Sequence, residues 1–210
     1  VLDPFSRVGE DVSLYQIIYF LGRLLFPLLV DIRITGSENI PRSGPVLVVS
    51  NHRSYTDPAV LGVACPRRIH YLAKSELFGR SRLFERFIRA LGAVPIRRHG
   101  HAGSTIRRAE ELLAAGKVVG MFPEGGIHTS GDLKPGVALI AARTDVPIVP
   151  VHLSGTRGMY EPEAYLLRAR KVRVSVGKPF HSRDVGDPSD RARFAERLLA
   201  RIRTHIVRDD

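Results

Sequence analysis

The sequence predicts one α/β domain in which helices cover a central sheet. Short β-branched apolar runs, among them Pro45–Ser50, Val118–Phe122 and Lys171–Gly177, alternate with amphipathic helical stretches such as Ser81–Leu91. A length of 210 residues suits one core of ordinary size. With 44% apolar and 25% charged residues the composition is that of a globular chain, and no repeat, low-complexity tract or linker divides it.

The elements follow in order. Val12–Val30 is the most apolar stretch, and its polar residues Ser13, Gln16, Arg23 and Pro27 form a thin seam at near-helical spacing. Arg23 and Pro27 argue against a simple membrane span. The pattern suits a helix lying in the membrane interface, or equally one buried against the domain. Ile32–Gly36 alternates as a half-buried strand does, and a Pro41–Gly44 turn leads into the apolar strand Pro45–Ser50.

Ile69–Ala73 reads as another strand, with His70 as a structural residue among apolar neighbours. Leu83, Phe84, Phe87, Ile88 and Leu91 recur at helical spacing between Ser81 as N-cap and Gly92 as stop. A second helix covers Thr105–Ala115 and stops at Gly116 before the strand Val118–Phe122. Lys134-Pro135-Gly136 opens a third, through Ala142, which leads into Val146–Leu153. Pro147 and Pro150 are expected to confine that run to an edge or bulged strand. Gly155–Arg170 has no firm pattern and reads as a helical excursion or a flap. Lys171–Gly177 alternates, and Asp187–Asp190 caps a final helix whose stripe runs from Phe194 to Ile206.

Chemistry concentrates after the strand Pro45–Ser50, in Asn51-His-Arg-Ser-Tyr-Thr-Asp57-Pro58. Loops at strand ends are where α/β proteins place reactive side chains. Imidazole accepts and returns a proton near neutral pH, and a carboxylate on its other nitrogen fixes the tautomer and stabilises the imidazolium. Asp57→Asn is therefore expected to weaken catalysis through the wrong tautomer. No G-x-S-x-G occurs, which moves the nucleophile onto the substrate as a hydroxyl. The alternative is a plain helix start, with Asp57 as N-cap, Pro58 at the first helical position and His52 merely packing.

Three further blocks accompany H-x4-D. They are G-x-x-x-I-x-R at Gly92–Arg98, Phe122-Pro-Glu124-Gly125 after an apolar run, and Pro147-Ile-Val-Pro150. In this order the four blocks resemble the glycerolipid acyltransferase family typified by 1-acylglycerol-3-phosphate acyltransferases, over about Gly36 to Gly177. The resemblance implies a mixed, mostly parallel sheet, and the apolar amino-terminal stretch divides the chain into an interface region, 1–30, and a catalytic domain, 31–210. It also implies direct acyl transfer, with no metal or cofactor, from acyl-CoA or acyl carrier protein to a hydroxyl of a lysophospholipid.

On that pattern His52 is the general base and Asp57 its orienting partner. Glu124 holds the acceptor, Gly125 lets backbone approach closely, and Arg98 binds the acceptor phosphate, as a guanidinium does well. Lys74 stands in the family's Ala-Lys-x-Glu-Leu context. The chain departs from the usual Thr-Arg-Ser after the glutamate block, reading Gly126-Ile127-His128. Lys74, Arg97, Arg98, Lys134 or His128 then supplies phosphate binding, or the acceptor head differs.

Lysines and arginines exceed acidic residues by 32 to 21, a formal charge of +11, so anionic partners are expected. Aromatic content is 7% with no Trp, and no nucleic-acid-binding signature occurs, which favours an anionic membrane surface over nucleic acid. The single Cys65 excludes an intramolecular disulfide framework and reads as a buried structural thiol. The amino end shows no secretory cleavage pattern, and the expected placement is peripheral or monotopic on the cytoplasmic face of the membrane. An acyl thioesterase, activating water with the same pair, and a noncatalytic basic membrane-binding protein are the rival readings.

Overall fold

All five residues of β2 (Val46–Ser50) are buried, so the strand must have neighbours on both edges and cover on both faces. The computed structural model, which describes residues 21, 24, 30–79, 81–96, 103–125, 127, 132–161, 166–167 and 171–207, shows how each is supplied. Beside β2 lie β5 (Val118–Met121) and β6 (Ile148–Ser154), both parallel to it. β3 (Ile69–Lys74) and β4 (Ala93–Ile96) extend the sheet beyond β5. β9 (Lys171–Val176) and β1 (Asp31–Thr35) extend it beyond β6. The order β1-β9-β6-β2-β5-β3-β4 is parallel at every pairing except β6 with β9. The sheet is thus mixed and mostly parallel.

Alternate side chains of the central strands enter two cores. On one face Leu47, Val49, Val119 and Ile148 pack against α3 (Gly103–Ala114), α4 (Gly136–Thr144) and α5 (Arg191–Ile206). On the other, Val46, Val48, Val118 and Val149 pack with Val60 and Leu61 of α1 (Asp57–Ala64). Each such side chain, removed fully from water, contributes roughly 1.5–3 kcal/mol. α2 (Arg82–Ala90) precedes β4, and Gly92 joins them at φ 90°, where an added Cβ would overlap the Ile69 carbonyl. At α5 the Asp190 carboxylate accepts from the Arg193 N–H, the cap that the Asp187–Asp190 pattern predicts.

One expectation needs correction. β6 is central despite Pro150, lying between β2 and β9. Val151 opposes Val176, and Ile148 opposes Phe180, so two residues of β6 face three of its neighbour. The Pro150 carbonyl accepts from the Gly177 N–H at 2.8 Å on that side. The donor that proline lacks points to the same side, into the bulge, and interrupts no regular pairing. The bulge expected of the prolines is present, but in the neighbouring segment, and the strand is not an edge.

β4 is a strand the alternation pattern does not reveal, because it is four residues long and contains Pro95. It forms the sheet edge, where a proline is tolerated. Within the predicted excursion or flap, β7 (Tyr160–Glu161) and β8 (Leu166–Leu167) pair as a short antiparallel hairpin. Most of the predicted Val12–Val30 helix lies outside the described residues. Leu21 and Leu24 are helical and exposed. No helix among the described residues is long and apolar enough to cross a membrane.

Candidate active site

The parallel strands β2, β5, β3 and β4 end on the same side of the sheet, and the sequence blocks leave from those ends. β2 delivers Asn51 and His52, β5 delivers Phe122–Gly125, β3 ends at Lys74, and Arg97 and Arg98 follow β4. Crevices at the carboxyl ends of parallel strands are the usual ligand sites of open α/β sheets. β2 and β5 are adjacent, so the histidine and glutamate blocks meet although β3 and β4 intervene in the chain.

Asn51 fixes the start of the loop. Its buried side-chain amide donates to the Leu153 carbonyl at 2.7 Å and accepts from the Leu153 N–H at 2.8 Å, which continues the β2–β6 ladder through a side chain. The loop then turns so that one oxygen of Asp57 collects three donors. Oδ2 accepts from the Arg53 N–H at 2.6 Å and the Ser54 N–H at 2.7 Å, and lies 2.9 Å from His52 Nδ1. Oδ1 has no hydrogen-bond partner among the described residues, and the residue is fully buried. The helix-start reading is half right: Asp57 opens α1 ahead of Pro58, but Thr56 is the cap residue. The carboxylate faces back into the loop instead of capping.

A carboxylate acceptor requires Nδ1 to carry the proton, which leaves Nε2 with its lone pair. The imidazole is further held by stacking on Phe122, with ring centroids 4.2 Å apart and planes 20° apart. Phe122 stacks in turn on Tyr71 at 6.0 Å, whose hydroxyl donates to the Pro58 carbonyl at 2.9 Å. The base is thus fixed at Nδ1 and across its face, while its side chain stays 17% exposed. Nε2 can therefore meet a substrate.

Phe122-Pro123-Glu124-Gly125 forms a turn closed by the Gly125 N–H donating to the Phe122 carbonyl at 3.1 Å. Proline suits its second position and glycine its last. Gly125 has φ 79°, and an added Cβ would overlap the Lys134 side chain out to its ammonium. The glycine is needed for its conformation, whereas the end of the exposed Lys134 side chain can move aside. Glu124 is buried, neither carboxylate oxygen makes a hydrogen bond of good geometry among the described residues, the His52 main-chain N–H faces the carboxylate, and Arg53 Nη1 lies 3.7 Å from Oε2. Burial pushes its carboxyl above the usual carboxylate range, opposed more weakly by the Arg53 guanidinium and then by His52.

Of the residues predicted from sequence, the structure brings together His52, Asp57, Glu124, Gly125 and Lys134. Lys74 is placed by its backbone at the end of β3, opposite Ile96 of β4. Arg97, Arg98 and His128 lie outside the described residues. Ile127 follows the glutamate turn half-buried. His70 is buried with Nδ1 3.2 Å from the Val118 carbonyl, and Cys65 is buried, which pushes its thiol up in pKa. Arg53, Asn51, Phe122 and Tyr71 are site residues that the sequence does not single out. Their signal is position alone, inside the blocks for Arg53 and Phe122 and beside them for Asn51 and Tyr71.

The family model described as Acyltransferase matches residues 31–154, which contain the dyad, the glutamate turn and the P-I-V-P block. The chain is 30% identical over 187 residues to the 1-acyl-sn-glycerol-3-phosphate acyltransferase of Bacillus subtilis (strain 168), covering 86% of this chain and 91% of that protein. With the Streptococcus pneumoniae (strain ATCC BAA-255 / R6) protein of the same name it shares 32% over 166 residues, 78% of this chain and 60% of that one. The fold is that of the crystal structure of the 1-acyl-sn-glycerophosphate (LPA) acyltransferase PlsC from Thermotoga maritima, with a TM-score of 0.69 at 24% identity, covering 97% of this chain and 86% of that one. By the extent of the family match and of the Bacillus relative, this chain belongs to the acyltransferase family.

Proposed function

We propose that the chain transfers a fatty acyl group from acyl-CoA or an acyl carrier protein to the free hydroxyl of 1-acylglycerol-3-phosphate, in phospholipid synthesis. The observation that carries this reading is the 2.9 Å contact between His52 Nδ1 and Asp57 Oδ2, which leaves Nε2 as a fixed base beside a buried glutamate. The names of the Bacillus and Streptococcus relatives support the acceptor.

His52 Nε2 removes the acceptor hydroxyl proton as that oxygen attacks the thioester carbonyl. The tetrahedral intermediate collapses, the C–S bond breaks, and the thiolate leaves with the proton that the imidazolium returns. Asp57 stabilises the imidazolium between those steps. General-base catalysis of this kind contributes roughly 10²–10⁴ in rate, and positioning supplies much of the remainder. Glu124 and Gly125 hold the acceptor, and Lys74, Arg97, Arg98 and Lys134 supply positive charge around its head. The +11 formal charge and the exposed Leu21, Leu24 and Tyr55 support work at an anionic membrane surface, peripheral or monotopic.

A panel of acceptors with labelled acyl-CoA tests the proposal. Label is expected in phosphatidate when 1-acylglycerol-3-phosphate is present, with little free fatty acid in its absence. Acceptor-independent release of fatty acid would instead make the protein a thioesterase.

A further inference from the structure

Arg53 lies inside the H-x4-D loop, and its two ends do different things. Its main-chain N–H belongs to the Asp57 clamp, a role any residue other than proline would fill. Its guanidinium offers five donors, yet makes a single ion pair at 3.7 Å to Glu124, beyond hydrogen-bonding distance, and no hydrogen bond among the described residues. The side chain is 26% exposed, whereas that of Glu124 beneath it is 0% exposed. A guanidinium held against a buried carboxylate, with its fork open beside the general base, is built to receive an anion.

We propose that Arg53 binds the phosphate of the acceptor and selects for acceptors that carry one. This rests on the acyl-transfer reading. In a 1-acylglycerol-3-phosphate the phosphate is borne by the carbon next to the one carrying the reacting hydroxyl. A cation adjacent to the residue that takes the proton is therefore in its reach. Glu124 orients the guanidinium from below, and Lys134, lying across Gly125, adds a second positive charge nearby. Ile127, in the same turn region, offers only hydrocarbon.

The test compares wild type, Arg53→Ala and Arg53→Lys. Binding of short-chain 1-hexanoylglycerol-3-phosphate and of 1-hexanoylglycerol is measured by titration calorimetry, and steady-state kinetics are run with acyl-CoA. Wild type binds the phosphate-bearing ligand more tightly, and Arg53→Ala loses roughly 10- to 100-fold of that preference. Arg53→Lys recovers part of it, because charge remains and the planar fork does not. In kinetics the acceptor's apparent KM rises by a similar factor, and that of acyl-CoA stays within twofold.

An unchanged phosphate preference in Arg53→Ala overturns the proposal. So does a rise confined to the acyl-CoA KM, which would assign the guanidinium to the donor's phosphates, or a fall in kcat with both KM values unchanged. Wild type that binds with phosphate preference but transfers no acyl group would refute the acyl-transfer reading and leave the Arg53 site standing.

Discussion

Asp57→Asn separates charge from geometry at this site. Among the described residues, all three hydrogen bonds to the Asp57 carboxylate end on Oδ2, and Oδ1 has none. An asparagine whose oxygen takes the Oδ2 position therefore keeps both main-chain donors and the Nδ1 proton, with its amide nitrogen where Oδ1 was. The wrong tautomer expected from the sequence is not required. What is lost is the negative charge opposite the imidazolium. Unit charges 2.9 Å apart at an effective dielectric near 20 interact by about 6 kcal/mol. The retained neutral hydrogen bond offsets about 1 kcal/mol of that. At 1.36 kcal/mol per tenfold, kcat should fall by roughly 10³ to 10⁴.

The buried amide nitrogen costs about 1–3 kcal/mol of stability, so folding is checked by circular dichroism before rates are compared. Nitrogen-15 NMR of His52 reads the tautomer. The expected result is a proton on Nδ1 in both proteins, with kcat lowered by the stated factor. A variant within tenfold of wild type would refute the charge argument, and a proton moved to Nε2 would refute the single-oxygen geometry.

Phe122→Ala removes the ring stacked on His52, an interaction worth about 0.5–1.5 kcal/mol beyond buried area. A fall in kcat of about tenfold, with the His52–Asp57 hydrogen-bond signature retained in NMR, is expected; unchanged kcat would mean the stack does not hold the base. Glu124→Gln probes burial of the carboxyl. Its folded pKa is raised, so its contribution to stability is fully present below the unfolded value, about 4.3, and is lost as pH rises through the folded value. Thermal unfolding should show the glutamine variant gaining stability relative to wild type between pH 4 and pH 8, and a loss over that range would reverse the assignment.

Much of this site is legible in the sequence because its blocks follow apolar runs, and the carboxyl ends of parallel strands converge. β2 and β5 read clearly for that reason. Their adjacency does not, since the chain forms β3 and β4 before returning to insert β5. Pro150 reads as an edge signal because a missing donor is visible in sequence, whereas the bulge that accommodates it lies in a segment about thirty residues on. Nothing in the sequence sets Arg53 apart from the chain's other lysines and arginines. Only the fold places its guanidinium over Glu124, and only the backbone turn shows its N–H serving Asp57.

His52 as the base that deprotonates the acceptor is tested most directly by product formation in wild type and His52→Ala, with both substrates saturating and folding verified. Labelled phosphatidate from wild type, and a rate at least about 10³-fold slower from the variant, is the outcome predicted here. Equal rates from the two proteins would contradict it.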